Sequence, residues 1–312
     1  MRPLNQAAIK NITTTSTAGI NKLLPNYRTI KVMNRFTNCV AVVTGAGSGI
    51  GRELAYQLAD HGARLAISDI DESNLDETEA KLIKRGAKVL ACRFDVADES
   101  AVFGFAEAIE KHYGEVNLVI NNAGVALAAG PLWTTPMEDF KWLMNINFYG
   151  VLYGTKAFLP IMLKADWGHI VNISSIFGIV SVPNQTAYNA SKFAVRGMTD
   201  ALRHELELEG SSISCTTVHP GGIKTNIARS ARVSDNGERD NTQNHAQSVI
   251  EFDKLARTTA DKAAAEILKA VVKNKRRLLI GADAKFLDKV QRIWPTAYLK
   301  VLNLVFGKAT QP

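Results

Sequence analysis

The sequence predicts a doubly wound α/β fold, with a seven-stranded parallel sheet flanked by helices in a single domain. Three observations lead there. Short apolar runs alternate with longer segments of helical spacing from residue 39 onward. The runs are apolar throughout rather than at every second residue, as strands covered on both faces must be. A glycine-rich stretch, TGAGSGIG (44–51), falls where the first apolar run meets the first helical segment.

The elements follow in order. CVAVVT (39–44) reads as the first strand, and IGRELAYQLADHG (50–62) as a helix stopped by Gly62. RLAISD (64–69) is the second strand, followed by a charged helix from Asp71 to Arg85 that Gly86 ends. KVLACRFD (88–95) is the third, before a helix over 98–113. VNLVINNAG (116–124) is the fourth, followed by helical stretches to about Lys164. GHIVNISS (168–175) is the fifth, and the next helix carries TAYNASKFAVRG (186–197). SISCTTVHPG (212–221) is the sixth. After a polar stretch, a helix over 258–273 leads to RRLLIG (276–281), the seventh.

Around this body the chain divides further. Residues 1–32 are rich in Thr, Asn and Lys without periodicity, and read as a disordered or targeting-like extension. The folded domain is expected over 33–282, with residues 223–257 as a polar lid. Residues 283–312 form a basic amphipathic tail, either docked on the body or a partner, or lying on a membrane surface.

Composition narrows the function. Of 312 residues, 46% are hydrophobic and 21% charged, enough apolar material for a large core. The net charge of +7 is carried by the ends: residues 1–34 hold five Lys/Arg and no acid, and residues 269–312 hold ten basic against two acidic residues. The body between is therefore net acidic, which argues against nucleic acid as a partner. Cys39, Cys92 and Cys215 lie far apart in strand-like runs and read as buried free thiols of a reducing, cytoplasmic compartment. No run of ~20 apolar residues predicts a membrane-spanning helix, and the scattered histidines offer no metal site.

Two features carry chemistry. Gly45, Gly49 and Gly51 let the backbone of the 44–51 loop turn tightly and approach a pyrophosphate at a helix N-terminus, with Ser48 and Ile50 between them. Asp69 ends the second strand, eighteen residues after Gly51. Its carboxylate can accept from ribose hydroxyls and repel a 2′-phosphate. With Ser68 and Ile70 beside it, no cation flanks it in sequence, so NAD is expected over NADP. Tyr188 and Lys192 stand four apart, hence on one helical face.

These stretches, with NNAG (121–124), Asn147 in MNINFYG, ISS ending at Ser175 and HPGGIKT (219–225), resemble the short-chain dehydrogenase/reductase family over about residues 36–281. The resemblance implies a Rossmann domain in which Tyr188 exchanges a proton with the substrate oxygen. It further implies that Lys192 binds the nicotinamide ribose and lowers the tyrosine's pKa. Ser175 would hold the substrate oxygen, with Ser174 as its competitor, and Asn147 would link Lys192 through water to solvent. Asp95 and Val96 would flank the adenine, and Asn122, Ala123 and Gly124 the adenosine side. Pro220, Gly221, Ile223 and Thr225 would line the nicotinamide end.

Val125, Leu127, Ile176, Phe177 and Val182 are candidate pocket walls, and their apolar character predicts a hydrophobic secondary or allylic alcohol or ketone of steroid, retinol or lipid type. Trp133, Trp142 and Trp167 read as packing residues, and His219 as structural. Alternative functions are a 3-ketoacyl reductase using NADPH and a catalytically silent dinucleotide sensor. Related enzymes commonly pair through helices near 136–163 and 186–209, so a homodimer or homotetramer is expected.

Overall fold

A computed structural model describes residues 35–234 and 241–306. The seven strands are β1 (Val40–Thr44), β2 (Arg64–Asp69), β3 (Val89–Arg93), β4 (Leu118–Asn121), β5 (Gly168–Ile173), β6 (Ile213–Pro220) and β7 (Arg277–Ile280). They form one sheet in the order β3-β2-β1-β4-β5-β6-β7, and every neighbouring pair is parallel. The strand order reverses direction between β1 and β4. In such sheets that switch point opens a crevice at the strands' carboxyl ends.

Helices α1 (Gly49–Asp60), α2 (Glu72–Lys84), α3 (Glu99–Tyr113), α4 (Met137–Met144), α5 (Gly150–Met162) and α6 (Thr186–Leu208) follow in chain order. Then come α7 (Asn241–Leu255), α8 (Ala260–Val272), α9 (Ala282–Ile293) and α10 (Tyr298–Phe306). Two carboxylates start their helices: Asp71 Oδ1 accepts from Asn74 N–H at 3.0 Å and Asp98 Oδ1 from Ala101 N–H at 3.1 Å. Alternate residues of each central strand enter opposite cores. On one face Val43, Leu65, Ile67, Leu118 and Ile120 meet Leu54 and Leu58 of α1 and Ile267 and Val271 of α8. On the other, Val40, Val42, Val119 and Ile170 meet Phe105, Ile109, Phe158 and Met162 of α3 and α5. Each such side chain stabilises the sheet sandwich by roughly 1.5–3 kcal/mol.

Several details depart from expectation. Cys92 is exposed, unlike Cys39 and Cys215, because β3 is the outermost strand and has no neighbour beyond it. Trp133, expected to pack, is 86% exposed. The stretch read as a polar lid contains α7 and is tied at both ends. Ile223–Lys224 pair with Thr258–Thr259, and Arg232–Val233 with Leu127–Ala128. The extension 1–32 and the lid's residues 235–240 lie outside the described residues.

The tail docks on the body. Ala284, Leu287 and Tyr298 pack with Ile176, Ile179 and Val180, and the Tyr298 hydroxyl accepts from Ser181 N–H at 3.0 Å and donates to Ser181 O at 3.1 Å. Buried Asp288 receives Arg277 and Arg292. Its outer face still exposes Ile293, Trp294 and Leu304. No helix among the described residues is long and apolar enough to cross a membrane.

Candidate active site

The carboxyl ends of the strands gather the candidate residues. Thr44 ends β1, and the loop that follows is clamped from β4: the amides of Asn122 and Ala123 both donate to Thr44 Oγ1 at 3.1 Å. Asn122 Nδ2 donates to the carbonyls of Thr44 and Gly45 at 2.9 and 3.0 Å. Gly45 takes a φ of 65°, a left-handed conformation that L side chains resist. A Cβ on Gly51 would lie 2.1 Å from Gly45 O, so the loop tolerates no side chain there. Ser48 caps α1 from extended backbone with no side-chain bond of its own. Ile50, in the first turn of α1, packs against the core.

Asp69 reaches back to this loop. Its Oδ2 accepts from Gly47 N–H at 2.8 Å, and its Oδ1 from Asp71 N–H at 3.0 Å. Each oxygen keeps a lone pair for a further donor. A cation absent from the local sequence lies across the sheet: Arg93 is the register partner of Asp69 and donates to Ile70 O at 3.2 Å. Beyond β3, Asp95 Oδ1 accepts from Ala97 N–H at 2.9 Å, and buried Val96 fills the space beside Gly150. On the far side, Thr225 comes up to the loop, since a Cβ on Gly49 would meet Thr225 Cγ2 at 3.1 Å. Buried Pro220 ends β6, and buried Ile223 begins the ladder to Thr258. A glycine-rich loop at a helix N-terminus, beside a carboxylate with lone pairs to spare, suits a dinucleotide.

The second cluster lies between β5 and α6. Ser174 and Ser175 follow β5, but only one faces the tyrosine. Ser174 Oγ donates to Lys192 O at 2.8 Å, whereas the Ser175 side chain bears on the Tyr188 phenol and accepts from Phe177 N–H at 3.1 Å. The Phe177 ring meets that of Tyr188 edge-on at 6.1 Å. Lys192 is 3% exposed; its Nζ lies 5.6 Å from the centre of the Tyr188 ring and donates to Ile173 O at 3.1 Å.

Burial governs both titrations. It pushes the Tyr188 phenol above its usual value, with the Ser175 side chain pulling the other way, and brings Lys192 down to about 8. For the phenol this reverses the direction the sequence led us to expect. The reason is geometric: the ammonium is aimed at a carbonyl, and loss of water outweighs its field. At neutral pH the pair is thus a protonated phenol beside a charged amine.

Asn147 joins this cluster from a π-helical turn, Asn145–Tyr149, between α4 and α5. Such turns are frequent at functional sites. The fully buried amide accepts from Val125 N–H at 2.8 Å and donates to Val125 O at 2.9 Å. Gly124 lies against both Asn147 and Lys192: a Cβ there would meet Asn147 Oδ1 at 3.1 Å and Lys192 Nζ at 3.4 Å. Of the expected pocket walls, Leu127 packs near Tyr188 with Leu143 and Ala187. Ile176 instead turns into the cluster under the tail.

Sequence reasoning missed two supports. His219, read only as structural, is fully buried and its Nδ1 lies 2.9 Å from Ser175 O, in position to donate. A polar chain also crosses the sheet beneath the site, from Asn121 to Thr155 and Asn172, and from Asn172 to Thr199 of α6. Polar residues inside otherwise apolar strands were the available signal. Among the described residues no cluster suits a metal.

Comparison with known proteins agrees with this geometry. The short chain dehydrogenase family profile matches residues 39–236. SadH of Mycobacterium tuberculosis, an oxidoreductase by name only, is 43% identical over 272 residues, covering 86% of this chain and 96% of its own. The 2-(R)-hydroxypropyl-CoM dehydrogenase of Xanthobacter autotrophicus is 40% identical over 189 residues, covering 60% of this chain and 75% of its own. A crystal structure of a short chain dehydrogenase/reductase from Burkholderia phymatum in complex with NAD superposes with a TM-score of 0.77 at 32% identity, covering 83% of this chain and 95% of that one. A profile matched over most of the chain, and relatives aligned along most of their own length, make this protein a member of the short-chain dehydrogenase family of oxidoreductases.

Proposed function

We propose that the chain moves a hydride between NAD(H) and a hydrophobic secondary or allylic alcohol or its ketone, with Tyr188 as proton donor and acceptor. The observation that carries this reading is that Ser175 and the buried Lys192 amine, 5.6 Å from the ring centre, converge on Tyr188. Bound NAD(H) supplies the hydride acceptor or donor. The chain's own residues do the rest. Ser175 and Tyr188 hold the substrate oxygen between two hydroxyls. In reduction the phenol gives up its proton, and Lys192, charged below pH about 8, stabilises the phenolate left behind. An opposite charge at ~4–6 Å is worth ~1–3 pK units of such stabilisation.

Gly45, Ser48, Gly49, Ile50 and Gly51 would hold the pyrophosphate, and Asp69 the adenosine ribose. Asp95, Val96, Asn122, Ala123 and Gly124 would line the adenosine side, and Pro220, Gly221, Ile223 and Thr225 the nicotinamide end. NAD is preferred over NADP because a 2′-phosphate would meet the Asp69 carboxylate; the NAD complex of the Burkholderia relative supports this. Asp69→Ala removes that repulsion and leaves Arg93 nearby. A panel of alcohols and ketones of graded size, assayed at 340 nm with both cofactors, tests the whole reading. The wild-type chain should favour large apolar substrates with NAD(H), and Asp69→Ala should lose ~10-fold or more of that cofactor preference. Unchanged selectivity would mean that Asp69 does not face the ribose.

Two partner readings go with it. An apolar groove lined by Leu152, Leu159, Met198 and Leu202 runs between α5 and α6. It supports pairing of subunits through this face, which sedimentation velocity reads directly. The exposed Ile293 and Trp294, with Lys285, Lys289 and Lys300 in the same tail, suit an anionic lipid interface. The protein should co-sediment with phosphatidylserine vesicles more than with neutral ones, and Lys285→Glu/Lys289→Glu should abolish the difference. Equal sedimentation with both lipids would remove this contact.

A further inference from the structure

The first helix of the tail reaches the loop that follows β6. α9 begins directly after β7, and its second residue, Asp283, turns back over the loop that follows β6. Gly222 N–H donates to Asp283 Oδ2 at 2.6 Å across 61 residues of chain. The carboxylate is seated between glycines: a Cβ on Gly221 would lie 2.1 Å from Asp283 Oδ2, and one on Gly281 2.3 Å from Oδ1. Gly281 itself adopts a φ of 97°, which a side chain would resist. Any residue larger than glycine at 221 or 281 would push the carboxylate out of its seat.

The held segment belongs to the site. Gly221 N–H donates to Ile280 O at 2.9 Å, and Ile223–Lys224 pair with Thr258–Thr259. Gly222, between these two anchors, has the Asp283 carboxylate as its hydrogen-bond acceptor. Three residues on, Thr225 stands against Gly49 of the phosphate loop. The position of Gly222 therefore sets how the 220–225 turn faces the proposed nicotinamide end.

We infer that Asp283 is a positioning residue for cofactor binding, fixing the Pro220–Thr225 turn in its binding conformation through Gly222. The inference rests on the cofactor reading above. Asp283 is solvent-exposed, and an exposed hydrogen bond adds little to global stability because water replaces it. Its loss is felt locally. A turn that visits its binding conformation only part of the time weakens the ligand by that fraction. Affinity for NAD(H) falls while the rate of the bound complex stays nearly unchanged.

The experiment uses the full chain and NADH alone, with no substrate. NADH affinity is measured by its fluorescence enhancement for wild type, Asp283→Ala and Asp283→Asn, with the thermal midpoint of each as a control. The asparagine oxygen still accepts from Gly222 N–H; alanine cannot. Asp283→Ala should bind NADH about 5–10-fold more weakly, Asp283→Asn should stay close to wild type, and all three should melt together. In steady state Asp283→Ala should raise KM for the cofactor and leave kcat within about twofold. Equal NADH affinity for wild type and alanine variant overturns the inference alone. A shared, large fall in melting temperature also overturns it, because the role would then be structural. Failure of the wild-type chain to bind NADH or NADPH overturns the cofactor reading and this inference together.

Discussion

Tyr188→Phe is expected to lower kcat by roughly 10²–10⁴-fold, the usual contribution of a positioned general acid, while NADH affinity stays within about twofold of wild type. The substitution removes one oxygen and keeps the ring that packs edge-on against Phe177 and beneath the Lys192 amine. Ser175 keeps its bond from Phe177 N–H, and its carbonyl keeps the contact with His219. The geometry of the pocket therefore survives, and only the transferable proton is lost. Steady-state turnover at 340 nm beside NADH titration checks both halves. A variant that turns over normally would remove the phenol from the mechanism. So would one in which cofactor binding collapses and the residual rate does not change.

The second large effect is on stability in mild acid. His169 and His219 are both fully buried. Burial, reinforced by Arg35 and Arg203, lowers His169 to about 3. Burial first, then Arg277 and Arg196, lowers His219 to about 4, against the opposing pull of the Ser175 carbonyl and Asp200. An unfolded histidine takes up its proton near pH ~6.5. Between that pH and about 4 the unfolded chain thus binds more protons than the folded one, so stability falls as the solution is acidified. At ~1.4 kcal/mol per pK unit, His219 alone accounts for about 3 kcal/mol by pH 4. His169 adds a comparable loss that extends lower. Against a total stability of ~5–15 kcal/mol this is large.

The lowered carboxylates, Asp71, Glu77, Asp98, Glu207 and Asp261, begin to count as the pH falls through about 5 toward their unfolded values of ~4–4.5. The window from ~6.5 down to ~5.5 therefore isolates the histidines. Urea midpoints at stepped pH should drop steadily from ~6.5 downward, and less steeply in His219→Asn. A flat profile over that window would show that these rings are protonated in the fold or reached by water.

How far the sequence carried this picture depended on distance along the chain. Each strand of the sheet was legible because its apolar run is local, and the parallel sheet because those runs do not alternate. The glycine loop and the Tyr188–Lys192 pair were legible for the same reason: four glycines within eight residues, and a spacing of one helical turn. The tie between Asp283 and Gly222 was not, since it joins residues 61 apart and neither stands out locally. The contact of His219 with Ser175 spans 44 residues. Only a histidine inside an apolar strand hinted at it. α7 was read as a polar lid because most of its described side chains face solvent, which leaves little apolar periodicity to detect. The direction of the Tyr188 titration was misjudged because spacing reports that two groups are near. It does not report that the amine is aimed at Ile173 O.

A crystal structure with NAD and a ketone-mimicking inhibitor tests the central claim most directly. The account predicts that the inhibitor's oxygen sits within hydrogen-bond reach of both the Tyr188 and Ser175 hydroxyls, with the nicotinamide ring facing the same carbon. An inhibitor oxygen bound elsewhere in the cleft, with the phenol turned away from the ring, would contradict it.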